Sequence, residues 1–467
     1  MGDDSQTRAV VLGGSIAGLL AARVLADAYD DVLIVDRDVL VGVREPRRGA
    51  PQGRHISGLL TGGQRALEKL YPGITQELFD DTVPYGDLAK DVRWYFQGYR
   101  IQPYDAKILT TGPSRPLLER HIRERTEVLP NVRFMERTDI LGIEATPDRS
   151  TITGVKVQRL DGEGAEEIIE ADLVVDATGR GSRTPVWLEN LGYGRVPEER
   201  KKIGLGYVTQ HYKLKSDPYQ GDLSINVVAY PGNPRGCIFT NTDHGRVEMT
   251  TYGLLGDHPP LDQEGLYKWM GTLGAPEYVD ALRDAEPLDE PVAFRFPTTL
   301  RRHYEEMTEF PRGLLVTGDA VTTFNPVYAG GMTVAIKCAH VMSSHLHSGA
   351  TPDPVLYFRD LSKEVIDAAW GMTNLVDLTF PGVEGDRPFK LRMAQKMLKL
   401  TQIAATRDGK VTGAYMRAAG QVSRPEEMQK PGMLLRILWA ALRGPKRLPQ
   451  IPVTRPLALP AEERRAA

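Results

Sequence analysis

Short apolar runs alternate with amphipathic segments over the first part of the chain, up to about residue 192. AVVLGG (9–14) is typical of a buried strand, SIAGLLAARVLADAY (15–29) of a helix, and DVLIVDRD (31–38) of a second strand. Two strands joined by a helix predict a parallel pair with a right-handed crossover. The same strand-then-helix pattern returns at 313–347. Both stretches therefore predict an α/β domain built on a parallel sheet.

The chain changes character over residues 203–253, where strand patterns follow one another without helices between them. The segments are KIGLGYVTQHYKL (202–214), DLSINVVAY (222–230), RGCIFT (235–240) and RVEMTTYGLL (246–255). Asp243-His244-Gly245 separates the last two segments and is a hairpin turn signal. We expect an antiparallel sheet inserted into the α/β domain, followed after residue 354 by a mostly helical region.

Composition and charge narrow the class of protein. The 467 residues are 41% hydrophobic and 25% charged, an ordinary globular balance. With 58 lysines and arginines against 61 acids, the net charge is −3, so no nucleic-acid partner is expected. Two cysteines exclude a disulfide framework, and the nine histidines lack ligand spacing, so no metal is expected. The acidic N-terminus and the lack of a long apolar run predict a cytoplasmic protein without a membrane span.

The strongest local motif is VVLGGSIAG, residues 10–18, which lies between the first strand and the first helix. Gly13 permits a tight turn, Gly18 permits close packing of the helix on the sheet, and Ser15 replaces the middle glycine. Free amides at the helix start can hold a pyrophosphate. Asp36 ends the next strand, where a ribose-binding carboxylate belongs. The pattern predicts dinucleotide binding, although a glycine-rich turn and a solvated acid would also fit, and NAD is not distinguished from FAD.

Further segments occur in a specific order along the chain. They are PQGRH (51–55), SRPLLE (114–119), DATGRGSR (176–183), GDAVTTFNPVYAGGMTVA (318–335) and AAWGMTNLVDLTFPGVEG (368–385). With GGSIAG, this series resembles the FAD-dependent monooxygenases of the glutathione-reductase-type superfamily, which include the aromatic hydroxylases. Within it, the chain is most similar to actinobacterial epoxidases of polyketide and polyether alkenes. Flavin-dependent Diels–Alderases of spirotetramate biosynthesis are related.

The resemblance implies a Rossmann-like FAD-binding domain with an inserted antiparallel-sheet substrate domain and a helical C-terminal region. It assigns residues 1–85, 105–200 and 300–355 to the FAD-binding domain. Residues 86–104 and 201–299 form the substrate domain, and residues 356–467 form the helical domain.

The resemblance also implies roles for individual residues toward FAD. Arg115 would contact the ribityl-pyrophosphate region, Asp319 the ribityl chain, and Asp36 the adenosine ribose. The full set of expected contacts is Gly13, Ser15, Ala17, Gly18, Asp36, Arg37, His55, Arg115, Ile140, Thr178, Gly179, Gly318, Asp319, Pro326, Gly330, Gly331 and Met332. A surface cation at Arg115, a structural loop histidine at His55 and a helix cap at Asp319 are the competing interpretations.

The sequence departs from the motifs of related enzymes in two places, one that bears on the source of electrons and one that bears on halogenation. The aromatic hydroxylases carry an Asp-Gly motif that assists nicotinamide binding, whereas this chain has Asp176-Ala177-Thr178-Gly179. NAD(P)H and a separate flavin reductase therefore both remain possible electron sources. The Trp-x-Trp-x-Ile-Pro motif of flavin halogenases is absent from the sequence, which argues against halogenation.

The expected substrate site lies between the antiparallel sheet and the flavin loop. Alternating strand positions predict that Tyr207, Thr209 and His211 share a face with Met249 and Thr251. Further candidate walls are Phe294, Phe296, Phe324 and Tyr328. Apolar walls favour a hydrophobic, polyketide-like small molecule.

The leading functional hypothesis is an FAD-dependent monooxygenase that epoxidises or hydroxylates such a substrate through a flavin 4a-hydroperoxide. No acid–base dyad is evident, which favours epoxidation over phenol hydroxylation. An alternative is a non-redox, Diels–Alderase-type cyclase in which FAD is structural. A binding protein that retains only the fold is the third hypothesis.

Overall fold

The computed structural model describes residues 6–161, 164–347, 351–423 and 425–449. The expected helical domain at 356–467 extends beyond this range, because residues 450–467 lie outside the described part. Strands and helices are numbered separately in chain order.

The strands form a five-stranded parallel sheet, a nine-stranded mixed sheet and two small sheets. They are β1 (Arg8–Leu12), β2 (Asp31–Val35), β3 (Tyr85–Asp87), β4 (Val92–Phe96), β5 (Tyr99–Arg100), β6 (Leu109–Thr111), β7 (Val132–Met135), β8 (Thr138–Ala145), β9 (Ile152–Arg159), β10 (Glu166–Glu170), β11 (Leu173–Asp176), β12 (Glu198–Lys213), β13 (Ser224–Val227), β14 (Arg235–Asn241), β15 (Val247–Gly253), β16 (Glu286–Pro287), β17 (Val292–Arg302), β18 (Leu314–Val316) and β19 (Thr322–Thr323).

The α-helices cover the parallel sheet and dominate the C-terminal third of the chain. They are α1 (Ile16–Leu25), α2 (Thr61–Leu70), α3 (Ile74–Asp80), α4 (Arg115–Glu127), α5 (Thr184–Leu191), α6 (Gln263–Gly271), α7 (Pro276–Arg283), α8 (Gly331–His345), α9 (Pro354–Leu361), α10 (Asp367–Asp377), α11 (Phe389–Ala405), α12 (Gly409–Ala419) and α13 (Pro431–Leu442).

The parallel sheet has the strand order β18-β11-β1-β2-β7. Its central strands are buried on both faces, since Val10, Ile34 and Val174 are fully inaccessible. Continuous apolar runs of this kind are typical of a sheet covered by helices on both sides. The predicted β1–α1–β2 unit is confirmed, and the loops after β1, β11 and β18 meet at the carboxyl edge of the sheet.

The mixed sheet runs β19-β17-β12-β15-β14-β13-β4-β5, with β16 also paired to β12. β14 and β15 are antiparallel neighbours joined by a short turn at Asp243–Gly245, so the predicted hairpin is confirmed. One face of this sheet packs on α6 and α7 through a core that includes Phe239, Trp269 and Tyr278. The other face of this sheet is directed toward α8 and the C-terminal helices.

The C-terminal helices complete the fold. α13 packs on α11 and buries Ile437 and Ala440 in a core shared with β4 and α12. Among the described helices, none combines the length and the apolar character needed to cross a membrane. The predicted fold class is confirmed: an α/β parallel-sheet domain, an inserted antiparallel sheet and a helical C-terminal region. The domain boundaries stay predictions.

Candidate cofactor and substrate site

The glycine loop between β1 and α1 is compact because its glycines have no side chains. Gly13 has a φ of +97°, and a Cβ there would lie 2.9 Å from the carbonyl oxygen of Ala177. A Cβ on Gly18 would lie 1.8 Å from the carbonyl oxygen of Gly13, so α1 packs directly against its own preceding loop. The amides at the start of α1 are thereby held beside the end of β11, in the geometry that suits a pyrophosphate.

Asp36 lies where the end of β2 meets this loop. Its carboxylate accepts hydrogen bonds from the Gly14 amide at 2.6 Å and the Asp38 amide at 2.7 Å. Burial raises the pKa of Asp36, although the two amides oppose this. Next to it, the exposed Arg37 pairs with Asp139 at 3.1 Å. The expected ribose contact is therefore at the predicted place, and its role stays a prediction.

Arg115 begins α4 and reaches the start of α1. Its Nη2 donates to Ser15 Oγ at 3.3 Å, and its Nε lies 3.7 Å from Glu119 Oε2. The Nε is buried and has no hydrogen-bond partner among the described residues. Burial lowers the pKa of Arg115, while Glu119 and Asp319 oppose this. The side chain is only 12% exposed, so Arg115 is not a surface cation. A buried cation with an unused donor beside a helix start suits a phosphate group, and the contact with FAD stays a prediction.

Arg47 is a further cation at this site that the sequence analysis missed. Its Nη2 lies 2.6 Å from Glu119 Oε1 and its Nη1 lies 3.0 Å from Asp38 Oδ2, with Asp36 3.9 Å away. The arginine links the end of β2 to α4 and holds Glu119 beside Arg115. Its signal is the basic run PRRG at 46–49.

The loop after β11 lies between the glycine loop and Asp319. A Cβ on Gly13 would meet the Thr178 Cα at 3.4 Å, and a Cβ on Gly179 would meet the Asp319 Cβ at 3.8 Å. Asp176 is fully buried and accepts hydrogen bonds from the hydroxyls of Thr178, Ser182 and Thr184 at 2.5–2.6 Å. This carboxylate therefore shapes the turn from inside the protein.

Asp319 follows β18 and lies next to the loop after β11, at the base of the cleft between these loops. Gly318 has a φ of +61°, and a Cβ there would lie 2.8 Å from the Ala17 Cβ, which brings this turn against α1. The Asp319 carboxylate remains accessible although protein surrounds it. Burial raises its pKa, while Arg115 and Arg180 nearby lower it. An accessible acid between two cations, at the bottom of a cleft, suits the hydroxyl-rich ribityl chain of FAD.

The segment 326–331 leads from this cleft into α8. A Cβ on Gly330 would meet no atom within 4 Å, and one on Gly331 would meet only Asp319 Oδ1 at 4.0 Å. The start of the 15-residue helix α8 therefore faces open space next to Asp319. Backbone amides and the helix dipole at such a position stabilise negative charge, as expected beside a flavin ring. Met332, in contrast, is buried in the first turn of α8.

Asp377, the last residue of α10, holds the chain around residues 325–328 in place through two hydrogen bonds. Its Oδ1 accepts hydrogen bonds from Asn325 Nδ2 at 2.8 Å and from the Tyr328 hydroxyl at 2.6 Å. Burial raises the pKa of Asp377, while both donors oppose this. The sequence analysis missed this residue, whose signal is an acid within the apolar stretch LVDLTF.

A cavity of about 550 Å³ lies between the mixed sheet, the segment 326–330 and the C-terminal helices. Its walls are predominantly apolar. They include Ile56, Leu59, Val92, Trp94, Phe96, Ile238, Phe324, Val327, Tyr328, Met397, Leu398, Leu434 and Ile437, with Ser224, Asn226, Thr240 and Glu248 as polar groups from the sheet. The predicted walls Phe324 and Tyr328 line this cavity.

The predicted strand face is only partly correct: Tyr207, Thr209 and His211 share one face of β12, but neither they nor Phe294 are among the residues that line the cavity. β12 and β15 pair Tyr207 with Tyr252, Thr209 with Thr250 and His211 with Glu248, and directly paired residues project to the same side. Met249 and Thr251 therefore lie on the opposite face, where Met249 packs in the α6–α7 core and Thr251 accepts a hydrogen bond from Trp269. Their assignment to the substrate face is wrong, because a shift of one residue reverses the face of every side chain in a strand.

His55 packs against the face of the mixed sheet that carries Tyr207 and Thr209. Its Nδ1 lies 2.9 Å from Thr209 Oγ1, and its ring meets Tyr207 edge-on with centroids 4.8 Å apart. Burial lowers the pKa of His55 to about 4, assisted by Arg54 and His211. Phe294 stacks on Tyr207 at 5.2 Å. These rings form a layer beside the cavity.

The remaining predicted residues lie around this centre. Phe296 lies under the Arg180 guanidinium, 4.9 Å from the ring centroid, and Ile140 packs in β8 at the edge of the main core. Neither residue lines the described cavity.

A carboxylate–imidazole pair, which the sequence analysis did not find, lies on the face of the mixed sheet that borders the cavity. Glu248 is 4% exposed, and its Oε2 lies 4.0 Å from His211 Nε2. His211 Nδ1 lies 2.6 Å from Asp289 Oδ2 at the protein surface. The argument for epoxidation from a missing base therefore no longer holds. The signal was a single acid within the apolar strand VEMTTYG.

One group of potential metal ligands occurs elsewhere in the described residues, at His303, Glu305 and Glu306. Glu305 lies 2.6 Å from Arg301 Nη2. Burial opposes its ionisation, but hydrogen bonds from His303 and Arg301 lower the pKa of Glu305 to about 2. The internal ion pair accounts for this group, and the expectation of no metal stays a prediction.

Comparison with known sequences finds a relative of substantial identity. Protein Rv3254 of Mycobacterium tuberculosis (strain ATCC 25618 / H37Rv) is 31% identical over 389 residues, which cover 80% of each chain. Squalene epoxidase 4 of Arabidopsis thaliana is 22% identical over 339 residues, covering 72% of this chain and 61% of the plant protein. No protein-family model matches the sequence.

Comparison with solved structures gives the same fold throughout. The flavin-dependent brominase Bmp2 has a TM-score of 0.65 at 14% identity, covering 94% of this chain and 99% of the brominase. PqsL of Pseudomonas aeruginosa, described as a probable FAD-dependent monooxygenase, has a TM-score of 0.61 at 15% identity, covering 81% of this chain and 99% of PqsL. The Diels–Alderase PyrE3 has a TM-score of 0.55 at 18% identity, covering 89% and 81%. The chain thus belongs to the family of Protein Rv3254, and it shares its fold with these flavin-dependent proteins.

Proposed function

We propose that the protein is an FAD-dependent monooxygenase that inserts oxygen into a large apolar, polyketide-like substrate held in the 550 Å³ cavity. The observation that carries this proposal is that residues of the expected flavin site also line the cavity. Pro326 and Gly330, which are expected to border the flavin ring, are also walls of the cavity. A molecule in the cavity would therefore lie directly against the ring.

The residues at the carboxyl edge of the parallel sheet fit FAD. Arg115 offers an unused buried donor, Asp319 offers an accessible carboxylate, and Gly330 and Gly331 leave open space before α8. Bound FAD would supply the activation of dioxygen. The protein's part is to hold the phosphates near Ser15 and Arg115, to place the ring edge at the start of α8, and to orient the substrate.

The cavity walls also keep water from the reacting atoms. β4 contributes Val92, Trp94 and Phe96, and the C-terminal helices contribute Met397 and Ile437. Apolar walls of this extent favour a hydrophobic substrate and lower the local dielectric constant around the flavin.

Epoxidation and hydroxylation are both compatible with this site. The similarity to squalene epoxidase 4 favours an alkene substrate, whereas the Glu248–His211 pair offers the base that a phenol substrate would use. The similarity to a brominase concerns the fold, and the sequence has no Trp-x-Trp-x-Ile-Pro motif.

The electron source is proposed to be a separate flavin reductase. Asp176 is fully buried and hydrogen-bonded to three hydroxyl groups, so its carboxylate is not offered to a nicotinamide. The burial of Asp176 is equally compatible with the second candidate function, a non-redox cyclase in which FAD is structural. The fold of the Diels–Alderase PyrE3 gives that candidate its precedent.

Anaerobic stopped-flow spectroscopy of the holoprotein separates these functions. The flavin is reduced with NADH, NADPH, a flavin reductase or dithionite, and then mixed with dioxygen. A monooxygenase shows a transient absorbance band distinct from those of oxidised and reduced flavin before reoxidation. Direct reoxidation with no such band, with every electron donor and with apolar ligands present, would contradict the proposal and favour the cyclase.

A further inference from the structure

Glu248 is an unusual residue in the lining of a predominantly apolar cavity, because its side chain carries a carboxyl group. It is the only carboxylate among the described residues that line the cavity, and it is 4% exposed. Its Oε1 is buried and has no hydrogen-bond partner among the described residues. A buried carboxyl oxygen without a partner costs free energy, and a ligand in the adjoining cavity is a source of the missing partner.

The charged groups around Glu248 connect it to the surface. His211 faces it from β12 with 4.0 Å between Nε2 and Oε2, and Asp289, which is 43% exposed, holds the other side of the imidazole. Asp243 and Arg246 flank it from the β14–β15 turn. A separation of 4.0 Å exceeds a direct hydrogen bond and suits one bridging water.

The protonation states of this group suit proton exchange near neutral pH. Burial raises the pKa of Glu248 to about 7, while His211 opposes this. The hydrogen bond with Asp289 raises the pKa of His211. Glu248 can therefore change protonation at a pH where enzymes commonly act, and the raised pKa of His211 favours its protonated form beside Glu248.

We infer that Glu248 binds a hydroxyl group of the substrate, and that His211 and Asp289 provide its route for proton exchange with solvent. This inference rests on the proposed function, since it takes the cavity as the substrate site. It names the substrate class more narrowly: an apolar molecule that carries a hydroxyl group. Fully apolar hydrocarbons would leave the Glu248 oxygen without a partner.

The test uses two probes of nearly equal shape, 2-naphthol and naphthalene. Their dissociation constants with the oxidised holoprotein are measured by calorimetry and by the change in flavin absorbance, at pH 6 and pH 8. The variants are Glu248→Leu, Glu248→Gln and His211→Asn. Glu170→Gln is the matched control, because Glu170 is an exposed carboxylate on β10 that does not line the cavity.

The wild type is expected to bind 2-naphthol about tenfold more tightly than naphthalene, more so at pH 8, when the carboxylate is ionised. Glu248→Leu reduces this ratio to about one, and Glu248→Gln retains a ratio that no longer changes with pH. The control Glu170→Gln leaves the ratio and its pH dependence unchanged. His211→Asn moves the pH dependence to higher pH, because it removes a positive charge that favours the carboxylate.

An unchanged ratio in Glu248→Leu, or an unchanged pH dependence in Glu248→Gln, would overturn the inference and leave the cavity as an apolar site. Failure of both probes to bind the wild type would overturn the inference together with the proposed substrate site.

Discussion

Arg115 and Ser15 meet across the main crevice of the molecule, with Arg115 Nη2 3.3 Å from Ser15 Oγ, although 100 residues separate them. The contact brings the start of α4 to the start of α1. The arginine side chain is buried and its Nε is unused among the described residues. This pairing places positive charge at the point where the glycine loop opens, which is the basis of the proposed pyrophosphate site.

Replacement of Arg115 by alanine is expected to weaken FAD binding by about ten- to hundredfold, because it removes a charge-assisted contact to phosphate. FAD titration of the apoprotein measures the effect. Arg137→Ala is the matched control, since Arg137 is exposed and pairs with the exposed Asp161. Equal FAD affinity in Arg115→Ala and Arg137→Ala would contradict the assignment.

The glycine loop makes a prediction about stability. Gly18→Ala is expected to destabilise the protein by about 3 kcal/mol or more, because its Cβ would lie 1.8 Å from the Gly13 carbonyl oxygen. Gly432→Ala in α13 is the control, because its Cβ would meet no atom within 4 Å. Chemical unfolding should show a large loss for the first variant and no loss for the second. A loss below 1 kcal/mol in Gly18→Ala would show that α1 does not pack as described.

The link between α10 and the segment 326–331 is testable by a double-mutant cycle. Asp377→Ala and Tyr328→Phe each remove one side of the same 2.6 Å hydrogen bond, so their effects on unfolding should be non-additive by about 1–3 kcal/mol. Tyr193→Phe is the control partner, because its hydroxyl bonds elsewhere, to the Arg149 carbonyl. Additive effects for Asp377 and Tyr328 would argue against the contact.

Glu248 gives the protein a characteristic dependence of stability on pH. Burial raises its pKa from the ordinary value of 4.5 to about 7. Below pH 4.5 both folded and unfolded chains hold the proton, whereas at higher pH the unfolded chain releases it first. Wild-type stability should therefore fall relative to Glu248→Gln as pH rises through 7, by on the order of 3 kcal/mol in total.

Chemical unfolding between pH 4.5 and pH 8 measures this difference. Glu170→Gln, at an exposed position on β10, should show no such trend. A constant difference between wild type and Glu248→Gln across this range would mean that Glu248 is ionised throughout.

The sequence predicted the fold, and indicated the loops that are proposed to hold FAD, because their signals are local. The turn at Gly13, the acid at the end of β2 and the loop before α8 each occupy a short stretch of chain. Their arrangement follows from parallel-strand topology, which brings the carboxyl ends of β1, β11 and β18 together.

The parts that were missed depend on contacts between distant segments. Arg47 meets Glu119 across 72 residues, and Asp377 meets Tyr328 across 49. No local pattern records such pairs. The error at Met249 is a matter of register: alternation shows that successive side chains in β15 face opposite sides, but only the pairing with β12 decides which side faces the cavity.

The most direct test of the central claim compares two flavins. Apoprotein is titrated separately with FAD and with FMN, which lacks the adenosine phosphate portion that Asp36 and the glycine loop are expected to hold. The account predicts one FAD per chain and FMN affinity at least about tenfold weaker. The absence of saturable FAD binding, or equal affinity for FAD and FMN, would contradict it.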